Sequence, residues 1–436
     1  MQRRFLDPLY GPLSIDERCR ELAFSPEFQR LRYVRLCNIN SLYLTGASEP
    51  KRFEHCIGVY HLAALWAESR ILNPRDAYII KAAALLHDLQ TGPFGHSFQY
   101  VMEDNPFDVS FEHSNLTAGV RDQFLQLTKA SAAFAGRPFT ASSLLGESAE
   151  EVFAAIRGEG PFGPLISGTL DLDNLDNVVR LAFHMGLCSD KDRALPEQLT
   201  PLLEPFDGGL GARSPAHGYL ERWFDIRKAL YEYLLLDRGE FSAKCMLTLA
   251  VELAADAGLL GPDDWRLTDE DLLNELEHRS IGDHQSIGQI IKRLRVGDLF
   301  ECVEVWESDD TALYEEISDS KRKREIEGDI EDRLAAISST KYRICLHYIL
   351  DKKKTCRALS YYDLDDKEAK SVGYNSNVLL IGAFITNARA SVLSGGERAR
   401  VSAAVTQTLA GAGLNVRGSA PDPLAAPAAA PGLFAE

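Results

Sequence analysis

The chain has no cysteines spaced as CxxC, no apolar run long enough to cross a bilayer, and no surplus of basic charge. Its eight cysteines, at 19, 37, 56, 188, 245, 302, 345 and 356, are scattered singly, which excludes zinc ribbons and redox dithiol motifs. Reduced thiols in a cytoplasmic protein are the simplest expectation. No segment approaches the roughly 20 continuous apolar residues of a membrane helix, and MQRRFLDPLYGPL lacks the apolar centre of a signal peptide. The net charge of -17 argues against a general nucleic-acid coat, which needs broad basic surfaces, while leaving room for a local basic pocket. No internal repeat is visible.

What the sequence does contain is helical periodicity. From Ser14 to about Gly297 apolar residues recur at spacings of three and four, predicting helices over 16–23, 26–36, 54–71, 74–86, 149–156, 172–187, 219–236 and 241–257. A second helical group follows at 268–278 and 286–295, and 321–337 reads as a charged, solvated connecting helix. The segments 342–350 and 377–386 are rich in branched and aromatic residues and read as strands, with a helix over 398–410 behind them. The expected fold is mostly α: a helical domain over 1–300, a helical connector over 301–338, and a small α+β subdomain over 339–416. An Ala/Pro tail over 417–436 carries too little apolar surface to fold alone.

Chemistry concentrates in a few places. In AALLHDLQTGPFGHSF the pair His87-Asp88 ends a hydrophobic helix, with His96 close behind and His113 further on in FEHSN. His55 lies in the first turn of another helix, in RFEHCIGVYHLA. In LDLDNLDNVVRLAFHMG, Asp173, Asn177, Arg180 and His184 fall on one helical face, which suits either a wet cleft or an ordinary solvated surface. A lone helical histidine or a single HD dipeptide carries little information. The ordered set, an isolated His, then HD, then a late Asp on a third helix, matches what a His/Asp metal site requires.

These segments together resemble the HD superfamily of metal-dependent phosphohydrolases. The closer resemblance is to the SAM-and-HD-domain and bacterial dGTPase-like dNTP triphosphohydrolases. It runs from DPLYGPL and SPEFQRLRYVRL, through TGASEPKRFEHCIGV, LLHDLQTGPFGHSF and FEHSN, to LDLDNLDNVVRLAFHMG and FDIRKALYEYL, in the family's order over roughly residues 7–250. It implies an HD helical core in which His55, His87, Asp88 and Asp173 bind one divalent metal. Iron, manganese, zinc, nickel and magnesium all suit such donors. It implies phosphate contacts from Arg52 and Arg227, a place for His96 near the α-phosphate, and acid-base chemistry at His113 with Gln99 beside it.

The departures lie around the sugar and the catalytic histidine. Thr91 stands where the family's HDxGH pattern has a second histidine, and Gln99 where a carboxylate would pair with His113. Leu36-Cys37 replaces a sugar-reading Gln-Leu pair. Asn177 and Leu181 replace a tyrosine and an aspartate, and Leu235-Leu236 a Tyr-Gln pair. The resulting expectation is a nucleotide phosphohydrolase, foremost one that releases nucleoside and triphosphate from a (deoxy)nucleoside triphosphate. Two alternatives stay open: a phosphatase on a nucleoside monophosphate or other small phosphate ester, and a catalytically weak nucleotide-binding sensor. The resemblance also implies a homo-oligomer, an expectation joined by the idea that the strands at 342–350 and 377–386 offer uncovered edges.

Overall fold

The computed structural model describes residues 4–37, 49–104, 141–168, 170–206, 209–351, 355–387 and 393–423. Helices dominate, and the signals that start them are local. Asn73 accepts hydrogen bonds from the backbone N–H groups of Arg75 and Asp76 and, with Pro74 at the first position, opens the helix Pro74–Leu86. Asp171 caps Leu172–His184 by accepting from the Asn174 N–H. Arg52–Ser69 starts without a side-chain cap; a backbone bridge between Arg35 and Lys51 fixes the chain that enters it.

These three helices and Ala216–Leu236 pack around one large apolar cluster. Leu62, Leu85, Val179 and Leu230, all without exposed surface, lie at its centre. A second cluster joins Arg238–Asp256, Asp269–Arg279 and Gln285–Arg295 to one face of a sheet, and a third covers the other face with Ser320–Ile337 and Gly395–Gly411. No described helix is long and apolar enough to cross a membrane.

The sheets, and the helix Ser320–Ile337 that covers one of them, depart from the sequence expectation. The main sheet is antiparallel, with the order Val416–Ser419, Glu301–Ser308, Leu379–Ile385, Ile344–Leu350, so the segment read as a purely helical connector begins with a sheet strand. Leu359–Asp363 and Glu368–Val372 belong to a different sheet. There they pair with a hairpin formed by Leu203–Phe206 and Gly209–Ala212, the contact between 209–212 and 359–363 being parallel. The helix Ser320–Ile337 is no solvated connector: Ile326, Ile330 and Leu334 are buried against the sheet, and Lys323 is ion-paired to Glu252.

The strand Leu379–Ile385 is central and wholly buried rather than an edge. Alternation sends Leu379, Ile381, Ala383 and Ile385 to one face and Leu380 and Phe384 to the other. Ile344–Leu350 is a true edge, but two of its outward amides are taken. Leu346 N–H donates to Glu327 at 2.7 Å and Ile344 N–H to Glu331 at 3.0 Å, both carboxylates coming from the covering helix. That capping covers the 344–346 end of the edge and narrows the uncovered-edge argument for self-association.

Candidate metal centre

Three helices bring four side chains to one point. His55 comes from the first turn of Arg52–Ser69 and is completely buried; His87 and Asp88 follow the last turn of Pro74–Leu86; Asp173 lies in the first turn of Leu172–His184. The Nε2 atoms of His55 and His87 are 3.2 Å apart. Asp173 Oδ1 is 2.9 Å from His55 Nε2 and 3.6 Å from His87 Nε2, and Asp88 Oδ2 is 3.9 and 3.7 Å from the same two atoms. His55, His87 and Asp88 alone form a group able to hold a metal ion, with ligand atoms within 4.8 Å of one another.

The remaining hydrogen bonds show what this cluster suits. His55 Nδ1 is 2.6 Å from Asp176 Oδ1, and His87 Nδ1 is 2.8 Å from the Ala84 carbonyl. Each Nδ1 therefore carries the donated proton, so in the neutral rings both Nε2 lone pairs face each other with two carboxylates alongside. Such a meeting of lone pairs and anions calls for a cation. Without an ion the carboxylates draw a proton instead: burial works against charging His55, but its bonds to Asp173 and Asp176 prevail and raise its pKa to about 10, so a bound cation would displace the proton on Nε2. Burial likewise opposes ionisation of Asp88, while the Arg52 guanidinium and both imidazoles prevail and hold its carboxyl well below the usual range. The donor set thus fits one divalent ion.

Behind the ligands stands a dry ionic lock. Asp176 receives Arg180 Nε at 2.8 Å and Nη2 at 2.9 Å, and Arg180 Nη1 reaches Glu54 and, at 3.0 Å, Asp7. His184 Nε2 joins Glu54 at 3.0 Å. Arg180 and Asp176 have no exposed surface. The stripe Asp173–Asn177–Arg180–His184 is therefore neither a wet cleft nor a solvated face along its length, because its far half is sealed against the His55 helix. Asp176, which orients a ligand from behind, went unread in the sequence. Its signal was the Asp176/Arg180 pair at a spacing of four.

The HD turn itself is pinned from outside. Arg30 Nη2 donates to the carbonyls of Leu89 and Thr91, Trp265 Nε1 to that of Gln90 at 2.7 Å, and Asp269 accepts the Phe94 N–H at 2.8 Å. Thr91, standing where a histidine was expected, donates its hydroxyl to Asp88 Oδ1 at 2.9 Å and so orients the ligand carboxylate.

The other residues singled out in the sequence are spread around this centre. Arg52 bonds Asp88 directly, and its Nη2 lies 3.5 Å from the Leu36 carbonyl, which places the Leu36 wall beside the site. Asn177 sits half-buried one turn beyond Asp173. Arg227 is buried on Ala216–Leu236 with its guanidinium 4.5 Å above the Tyr231 ring. His96 is exposed at the start of His96–Asp104, and its Nδ1 is 2.9 Å from Oε1 of the buried Gln99. His113 lies outside the described residues.

Residues 52–159, which hold three of the four converging side chains, match the family model of the HD domain. Within those residues the chain carries an HD domain. Its HD region is 31% identical over 131 residues to the deoxynucleoside triphosphate triphosphohydrolase SAMHD1 of Xenopus laevis, covering 28% of this chain and 20% of that one. It is 33% identical over 99 residues to human SAMHD1, covering 21% and 16%. The YwfO protein of Bacillus subtilis is 29% identical over 197 residues, covering 43% and 41%. The chain thus spans well under half the length of these curated relatives. A crystal structure of a phosphohydrolase from Bacteroides thetaiotaomicron shares the fold, with a TM-score of 0.61 at 17% identity over 88% of this chain and 99% of that one.

Proposed function

We propose that the protein is a metal-dependent phosphohydrolase acting on a nucleotide, foremost a (deoxy)nucleoside triphosphate from which it releases nucleoside and triphosphate. The carrying observation is the meeting of two imidazole lone pairs and two carboxylates, His55, His87, Asp88 and Asp173, beside the buried cation Arg52. A divalent ion held by these four side chains would supply Lewis acidity at the phosphorus and a more acidic water.

The chain's own residues take the remaining roles in this reading. His55 and His87 keep their lone pairs toward the centre because their Nδ1 protons are engaged. Arg52 offers a planar fork for phosphate oxygens, and Arg227 a second. Water oxygen bonds to the α-phosphorus, the bond from phosphorus to the nucleoside O5′ breaks, and the leaving oxygen takes a proton. His113 is assigned as its donor and His96 as a neighbour of the α-phosphate, both on the family resemblance. Leu36, whose carbonyl accepts from Arg52 Nη2, and the buried Leu235 make the sugar-side wall more apolar than the family pattern in this reading. That wall favours the second reading, a phosphatase on a monophosphate or simpler ester, over a close copy of the family's substrate. A cytoplasmic homo-oligomer, at least a dimer, completes the proposal. It rests on resemblance, and a monomer mass by light scattering at micromolar concentration would remove it.

The test is release of phosphate or triphosphate from a panel of ribo- and deoxynucleoside mono- and triphosphates, with and without Mn²⁺ or Mg²⁺. Metal-dependent turnover on at least one nucleotide is expected. On the best substrate, His113→Ala should lower kcat by about 10²–10⁴-fold with metal retained. Arg52→Ala should raise KM far more than Lys51→Ala, because Lys51 is half-exposed and paired with Glu49. Equal effects at 51 and 52 would indicate a diffuse basic surface, and no turnover on any nucleotide would remove the proposed activity.

A further inference from the structure

Arg227 is a permanent cation with 3% exposure, lying over the rings of Tyr231 and Trp223 at 4.5 and 5.6 Å. Its Nε meets no hydrogen-bond acceptor, and among the described residues no carboxylate lies within ion-pair distance of it. A charge removed from water without a counter-ion is costly, so a buried guanidinium left in this state is best explained by a partner that arrives from outside.

A second arginine stands next to it, supplied from far along the chain. Arg357 follows Cys356, which is buried in the same apolar cluster as Trp223 and Leu230. Both neighbours of Arg357 bond to residues 375 and 376, and the adjoining Gly373 and Tyr374 pack on the turn of helix that carries Arg227. The Ser376 N–H donates to the Cys356 carbonyl at 2.9 Å, and Tyr374 packs on Phe224 at 5.8 Å and over the Lys228 ammonium at 5.9 Å. Gly373 approaches the Phe224 ring so closely that a Cβ there would stand 2.2 Å from it. Arg357 is half-buried, and like Arg227 it meets no carboxylate within ion-pair distance among the described residues.

Burial first, and then the charge of Arg227, disfavour the charged form of Arg357; Tyr231, Asp171 and Asp351 oppose them. Asp171 ties the pair to the metal centre, since it caps the helix whose first turn holds Asp173. Arg227 and Arg357 thus act on each other's charge in the neighbourhood of Asp171, with no carboxylate within ion-pair distance of either among the described residues.

We propose that Arg357 and Arg227 together form a phosphate subsite for the HD domain. Two planar forks facing one anion suit a phosphate or polyphosphate group, where each arginine offers parallel N–H donors. The identity of the substrate rests on the phosphohydrolase reading; the binding of an anion does not.

The test uses the full chain stripped of metal, so that the probe cannot act by chelation, and titrates inorganic tripolyphosphate calorimetrically. Wild type should bind it. Arg357→Ala should weaken binding on the order of 10- to 100-fold, as loss of a charge-assisted contact does. Arg357→Lys should fall between, and Arg343→Ala, which removes an exposed arginine paired with Glu331, should bind as wild type does. The melting temperature of Arg357→Ala should be unchanged or raised, because a like-charge neighbour is removed. Absence of binding by wild type, wild-type affinity in Arg357→Ala, or equal losses in the 343 and 357 variants would overturn the proposal. A nucleotide panel without turnover would remove the phosphohydrolase reading and leave the anion result standing.

Discussion

Asp176→Ala is expected to lower metal affinity by about 10- to 100-fold, the usual cost of losing a partner behind a ligand, and to destabilise the fold by about 3–5 kcal/mol. Both effects come from one buried carboxylate. Burial opposes its ionisation, yet Arg180 and the His55 contact hold it well below the ordinary carboxylate range. Without it, His55 Nδ1 loses the acceptor 2.6 Å away that fixes its tautomer and ring plane. Arg180 keeps Glu54 and Asp7 but loses the two contacts that Asp176 provides to its Nε and Nη2. Asp176→Asn preserves the volume but presents an amide to a guanidinium, so it should recover packing and little of the metal affinity. Urea unfolding together with competition against a metal-chelating dye separates the two effects. Affinity within twofold of wild type in Asp176→Ala would show that His55 is held by something else.

Gly58→Ala should cost about 3 kcal/mol, the upper end of what added core volume usually costs. Gly58 lies one residue short of a full turn after His55, where the Arg52–Ser69 and Leu172–His184 helices meet. A Cβ built there would stand 2.2 Å from Arg180 Nη2 and 2.2 Å from Asp176 Oδ2. The atoms struck are a buried ion pair rather than a flexible apolar tip, so relief means separating the pair or the helices. Urea unfolding with an unchanged m-value should report the loss. A neutral substitution would mean that the two helices do not approach this closely, and the support behind His55 would lose its basis.

Much of this architecture is legible from local pattern, and the exceptions share a physical cause. The helices 74–86 and 149–156 appear with the expected bounds because capping and apolar spacing are decided within a few residues. The strand Glu301–Ser308 carries a blurred signal in CVEVW, because an irregularity between Cys302 and Glu304 sends Val303 and Val305 to opposite faces of the sheet, and the charged helix after it reads as one connector with it. Leu359–Asp363 could not be placed by any local rule. Its parallel partner, Gly209–Ala212, lies about 150 residues earlier, and only the folded chain brings them together. The glutamates at 327 and 331 look like a solvated helix face until the strand edge they cap is present.

The site divides in the same way. His55, His87, Asp88 and Asp173 were picked out by order and motif, and the structure brings all four together. Asp176 was passed over because Asp173, Asn177, Arg180 and His184 form the more obvious polar stripe, while Asp176 points between two helices. Arg357 had no motif to mark it, since its meaning depends on its proximity to Arg227.

The most direct measurement is the metal content of the purified chain after loading with Mn²⁺ and removal of excess ion, compared with His87→Ala and Asp88→Ala prepared in the same way. One equivalent of divalent ion per chain in wild type, and none in either variant with helical circular dichroism retained, is the expected result. A wild-type chain without stoichiometric metal, or variants that keep a full equivalent, would contradict the assignment of His55, His87, Asp88 and Asp173 as a metal centre.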